Sequence, residues 1–178
     1  MRHFILLFFI ITLCNSCKKD QNNAVPTTQP PNYWGEASAE KNGLSWEANP
    51  VCKTDIIDSN TINIQLDSFV NGFFLKESLT FHAVPRAAGS YDVFKLSEPY
   101  DGKTAAYLFY WEDDVPLGIY HLIEGDTINH LVLESFDSNT KELKGNFELT
   151  FLVEHRPYPT APDTIRFTNG RFHGRLYK

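Results

Sequence analysis

Beyond the first 32 residues, which hold one of the six histidines and two of the three cysteines, five histidines, a dense run of carboxylates and one cysteine are the residues whose types suit chemistry. His82, His121, His130, His155 and His173 could serve as metal ligands or as acid–base groups. Such roles are signalled by short fixed spacings such as His-Glu-x-x-His, and none of these five stands in one. The simpler reading places each on a strand or at a rim. The carboxylates are densest at Glu112-Asp113-Asp114, followed by Glu124 and Asp126. Calcium takes six to eight oxygens at about 2.3–2.6 Å, usually from a loop that sets Asp or Asn and Gly in a fixed register. That register is absent, so Glu112, Asp113 and Asp114 are weak metal candidates and a solvated turn explains them as well. A carboxylate pair about 5–10 Å apart would also suit glycoside hydrolysis, but no supporting residues accompany this run. Cys52 has no base beside it in sequence, and Gly-x-Ser-x-Gly and phosphate-cradling glycine loops are missing. The expectation is a protein with no catalytic residues and no cofactor.

Aromatic content is the positive feature. Tyr107, Phe109, Tyr110 and Trp111 fall in one stretch, and Tyr91, Tyr100, Tyr120 and Tyr158 stand near turns. Aromatic faces stack on sugars and peptides, and tyrosine adds a polar handle. Tyr100, Trp111 and Tyr158 are accordingly the candidate binding residues. For Tyr107, Phe109 and Trp111 the simpler reading is a strand buried on both faces. The Pro- and Gly-rich surroundings of Tyr100 and Tyr158 suit an exposed rim.

The elements that must position these residues read as strands. From Tyr33 onward, short alternating runs are separated by turn signals, with no stretch of helical period. Strands are expected at 33–40, 44–48, 61–69, 73–84, 90–94, 104–112, 118–123, 128–136, 142–155, 164–168 and 171–177. Lys41-Asn42-Gly43 makes the first hairpin turn, because Asn-Gly supplies the positive φ angles of a tight turn. Asn169-Gly170 predicts a second. The clearest pairing joins 128–136 to 142–155 through Asp137 to Lys141. Along 142–155, Phe147, Leu149, Phe151 and Val153 share one face while Asn146, Glu148, Thr150 and Glu154 share the other. On the last strand Phe172, Gly174 and Leu176 face the core. Strands of this number joined by short turns predict an all-β fold, a single antiparallel meandering β-sandwich or flattened barrel.

The amino end predicts what precedes that domain. Arg2 and His3 are followed by an apolar run from Phe4 to Leu13, too short for the roughly 20 residues a spanning helix needs and right for a signal peptide. Ser16 is a small residue directly before Cys17. Residues 1–16 are therefore expected to be a leader, with Cys17 lipidated as the first mature residue and joined to membrane by its acyl chains. Residues 17–32 carry Lys, Gln, Asn, Thr and three prolines, with Val25 the one large aliphatic side chain. That composition predicts a flexible tether. Residues 33–178 form the β domain. Loss of Arg2 leaves 15 basic against 22 acidic residues, which argues against nucleic acid as a partner. Cys14 departs with the leader and Cys17 is consumed by lipid, so Cys52 has no partner for an internal disulfide and reads as a small buried residue.

The residues Ser16-Cys17-Lys18-Lys19-Asp20, then Ala39, Asn42, Gly43, Trp46 and Ala48, then Gly145, Phe147, Leu149, Thr168, Asn169, Gly170 and Phe172 form a recognisable combination. In these the chain resembles a family of small Bacteroidota lipoproteins of uncharacterised function, with Asn-Gly hairpins at both ends of the domain. The resemblance implies an outer-membrane lipoprotein and carries over no catalytic role. Surface-directed members carry acidic residues directly after the cysteine; here Lys18 and Lys19 come first, which favours a periplasm-facing anchor. The expected function is a non-catalytic envelope module that binds a protein or glycan, with a lipid- or glycan-carrying barrel as the alternative.

Overall fold

The computed structural model describes residues 33–72, 74–112, 115–125 and 129–177. Eleven strands run through them: β1 (Gly35–Lys41), β2 (Leu44–Thr54), β3 (Thr61–Val70), β4 (Phe74–Pro85), β5 (Gly89–Asp92), β6 (Phe94–Lys95), β7 (Ala105–Glu112), β8 (Val115–Leu122), β9 (His130–Phe136), β10 (Glu142–His155) and β11 (Thr164–Tyr177). No helix long and apolar enough to cross a membrane occurs among the described residues. The fold is all-β, as the alternation predicts.

The pairings close on themselves. β10, β11, β1, β2, β3, β4, β7 and β8 are hydrogen-bonded in that order, and β8 returns to β10. β10 manages this by forking: Leu143 to Glu148 pair with β9, and Phe151 to His155 pair with β8. β9 in turn carries β5. All ladders are antiparallel except two short ones, β6 with β7 and the end of β11 with β2 at Cys52 and Lys53. Closure pairs strand edges that would otherwise be open to other chains.

Side chains fill the space the ring encloses. Phe81 on β4 meets Phe147 on β10 at 5.5 Å between ring centroids, and Trp46 on β2 meets Phe167 on β11 at 5.1 Å. Leu66, Leu79, Leu108 and Phe151 complete this layer, fully buried. Each such side chain contributes about 1.5–3 kcal/mol through burial. Cys52 is buried among them, and burial pushes its thiol up to about 12.

Two expectations about strands are corrected. Asn169-Gly170 is not a hairpin turn. β11 runs unbroken through it, with Asn169 at φ 54° as an extra residue where the registers to β10 and β1 both shift. Asn tolerates the left-handed region equally in a bulge and in a turn, and here partners on both sides hold the strand straight. Asn42-Gly43, by contrast, is the expected turn, with both residues at positive φ. The single strand expected at 90–94 is two. The chain leaves β9 at Val93, whose N–H still bonds Asn129 O, and joins β7 at Phe94, whose N–H bonds Thr104 O.

The glycines of the Gly-x-Phe motifs have a packing reason. Gly145 faces Phe172 and Gly170 faces Phe147 across the β10–β11 ladder, so each glycine lies under the ring contributed by the other strand. A Cβ at either position would stand 2.5 Å from that ring.

Candidate functional site

The outer face of β7 holds the most concentrated aromatic surface. Alternation turns Ala106, Leu108 and Tyr110 into the ring and Tyr107, Phe109 and Trp111 outward, where each is half-buried. The outward rings pack edge-on in file, 4.7 Å between Tyr107 and Phe109 and 5.9 Å between Phe109 and Trp111. His82 on β4 extends the file, its ring tilted against Tyr107 at 5.2 Å. On the neighbouring strand Ile119 stands opposite Phe109 and His121 opposite Tyr107. Leu152 of β10 comes next beyond His121 and is half exposed. Sequence reasoning weighed these rings as a strand buried on both faces. The structure makes one face core and leaves the other partly open.

Polar groups border this surface. His121 Nε2 is paired with Glu154. His121 Nδ1, His82 Nε2 and Trp111 Nε1 are buried and meet no partner among the described residues. Toward β3, Asp67 accepts hydrogen bonds from Tyr33 Oη (2.6 Å), Ser78 Oγ (2.6 Å) and Gln65 Nε2 (2.9 Å). An open groove of about 410 Å³ follows the far edge, lined by Lys95, His121 to Glu124 and Leu152 to Glu154.

Tyr158 lies elsewhere, in the β10–β11 loop over one end of the ring. Its ring meets inward-facing Tyr110 at 6.4 Å, and Tyr110 meets Tyr120 at 5.5 Å. Beneath them is a buried ion pair that sequence reasoning missed. Lys41 Nζ lies 2.7 Å from Glu77 Oε1 and donates to Tyr110 Oη at 2.5 Å; Trp46 Nε1 donates to Glu77 Oε2 at 3.1 Å. Burial lowers the Lys41 ammonium below its ordinary range, with the Glu77 carboxylate opposing. Burial, and then the charge of Glu77, raise the Tyr110 phenol well above its own. One signal was available: Glu77 shares the strand phase of Leu79 and Phe81, which sets a charge on a core face. Its partner was not readable, because Lys41 lies on a non-adjacent strand.

Tyr100 sits at the opposite end of β7 from Trp111, in the loop that precedes the strand. Partial burial and the carboxylates of Asp55, Asp101 and Asp58 raise its pKa. The three candidate binding residues therefore do not converge. Trp111 belongs to the outer file, Tyr158 to the cover of one end and Tyr100 to the far loops. Glu112 is exposed at the end of β7, while Asp113, Asp114 and Cys17 lie outside the described residues. Among the described residues no group of three or more His, Cys, Asp or Glu side chains is arranged to hold a metal ion.

No protein-family profile, no curated protein and no solved structure matches this chain.

Proposed function

We propose that the chain is a lipid-anchored envelope protein whose β domain acts without catalysis, binding a protein partner on the outer face of β7 and β8. The observation that carries this reading is the file of Tyr107, Phe109 and Trp111 continued by Ile119 and Leu152. Half-buried aromatic rings beside aliphatic side chains are the composition of interface centres, and Tyr and Trp dominate their energetics. A glycan site would need accessible hydrogen-bonding groups around the rings, whereas His121 Nδ1, His82 Nε2 and Trp111 Nε1 are buried and Ile119 and Leu152 are aliphatic. The carrier reading has less support, because phenylalanine rings from opposite walls meet inside the ring.

Photo-crosslinking in the native cell tests the assignment. A photoreactive phenylalanine analogue at Phe109 is expected to trap one discrete protein, and the same analogue at Arg171 on the β11 wall is expected not to. Equal capture at both positions, or none at Phe109, would refute it. Thermal-shift measurements against fatty acids and envelope glycans address the alternatives, since a ligand at 100 times its Kd adds about 2.7 kcal/mol.

A further inference from the structure

The end of the ring closed by Tyr158 also carries four exposed large apolar side chains. Three neighbouring hairpins, β1–β2, β3–β4 and β7–β8, turn there, and each closes on a pair that contains a large apolar residue: Lys41 with Leu44, Val70 with Phe74, and Glu112 with Val115. Leu44 is 73 % exposed, Phe74 58 %, Val115 59 % and Val70 41 %. Val70, Phe74 and Leu75 line an open groove of about 280 Å³ together with Trp111, Glu112 and the stem of Lys76. Large apolar side chains on adjacent turn tips cost solvation and do not serve this fold, whose core lies inside the ring. Exposed apolar side chains gathered on neighbouring turns mark a contact surface.

The occupant follows from where the chain enters the domain. Tyr33 is fastened outside β3, its hydroxyl on Asp67 and its ring edge-on to Phe69 at 5.5 Å, and Phe69 adjoins Val70 at the β3–β4 tip. If the sixteen positions from Cys17 to Asn32 form the flexible tether that their composition predicts, they reach about 20–24 Å r.m.s.. A strand as long as β10 or β11, with 14 residues, extends about 46 Å. A lipid at Cys17 therefore holds the β3–β4 tip nearer the membrane than the far loops, where Ile56 and Ile57 are also exposed.

We infer that this hairpin end rests on the bilayer, with Leu44, Val70, Phe74 and Val115 in the interfacial layer as a second attachment beside the acyl chains. The inference depends on the anchor proposed above. Apolar protein surface laid in the interfacial layer adds to the attachment that acyl chains provide. Glu112, exposed at the β7–β8 tip, confines the contact to headgroup depth and favours neutral lipid. The orientation leaves the Tyr107–Phe109 face on the side wall, open to a partner.

Hydrogen exchange on the full-length protein, purified from its membrane and reconstituted in phosphatidylcholine vesicles, reads the orientation. Mass spectrometry of Cys17 reads the anchor separately. The expected result is a lipidated Cys17 and several-fold slower amide exchange at Leu44, Val70 and Val115 on vesicles than in the Cys17→Ser protein. The double variant Phe74→Asp/Val115→Asp, altered only at exposed positions, should keep the lipid and lose that protection. A lipidated Cys17 with unchanged exchange at the tips, or with protection at Ile56 and Ile57 instead, would overturn the orientation alone. A Cys17 without lipid overturns the anchor and the orientation with it.

Discussion

Cys52 converts a packing fact into a pH dependence. Its thiol is held up to about 12 by burial, against an ordinary value of 9.0. Above pH 9 the unfolded chain ionises this thiol and the folded chain does not, so the unfolded state gains. Stability is complete below pH 9 and falls as pH rises toward 12, by about 1.4 kcal/mol per unit at most. Urea unfolding of the parent and of Cys52→Ala at pH 8 and pH 11 should show the parent losing more than the variant. Equal losses would contradict the burial. Glu77 gives a second prediction at this scale. Glu77→Gln leaves the Lys41 ammonium buried without its counter-charge and should cost about 3–5 kcal/mol, whereas removing both charges in Lys41→Met/Glu77→Leu should recover much of it. A single-variant loss below 1 kcal/mol would mean the pair is hydrated in solution. The odd phase of Glu77 was visible in the sequence; the identity of its partner needed the ring.

Among the elements, β10 and β11 explain what the sequence made legible and what it hid. The period-two pattern over residues 142–155 matches β10 to the residue, because one face is core and the other is wet. In β11 the same alternation slips at Asn169, since a bulge residue shifts the phase by one while its dihedral preference reads as a turn. Asn169→Gly should therefore be nearly neutral. Asn169→Val should destabilise by about 1–2 kcal/mol, because a β-branched residue resists positive φ. The reciprocal Gly145/Phe172 and Gly170/Phe147 pairs predict larger effects. Gly145→Ala sets a Cβ 2.4 Å from Val132 O as well as against the Phe172 ring, so both backbone and ring must yield. A loss of about 1–3 kcal/mol, typical of overpacking, is expected in thermal unfolding. Gly170→Ala meets only a ring and should cost less than Gly145→Ala. The outer aromatic file was legible as residues but not as a face, because Tyr107, Phe109 and Trp111 alternate with Ala106, Leu108 and Tyr110, which are equally apolar. Period two carries no signal where both phases are hydrophobic.

For the whole molecule, the all-β class was legible from turn signals and alternation alone. Closure was not, because it depends on which distant strands meet. Its key is β11, which lies between β10 and β1 and touches β2 at its end. Deleting residues 164–177 would expose the edges of β10 and β1 together, and the product is expected to aggregate rather than to unfold reversibly in circular dichroism and light scattering. This seam also has a kinetic consequence. The earliest strand of the domain finds its second neighbour only when the latest one has emerged, so the ring stays open throughout synthesis. Pairing across so long a chain separation is slow. Under the export proposed above, this order would spare the chain premature closure during crossing, and the sheet would be finished only after the last strand had passed through.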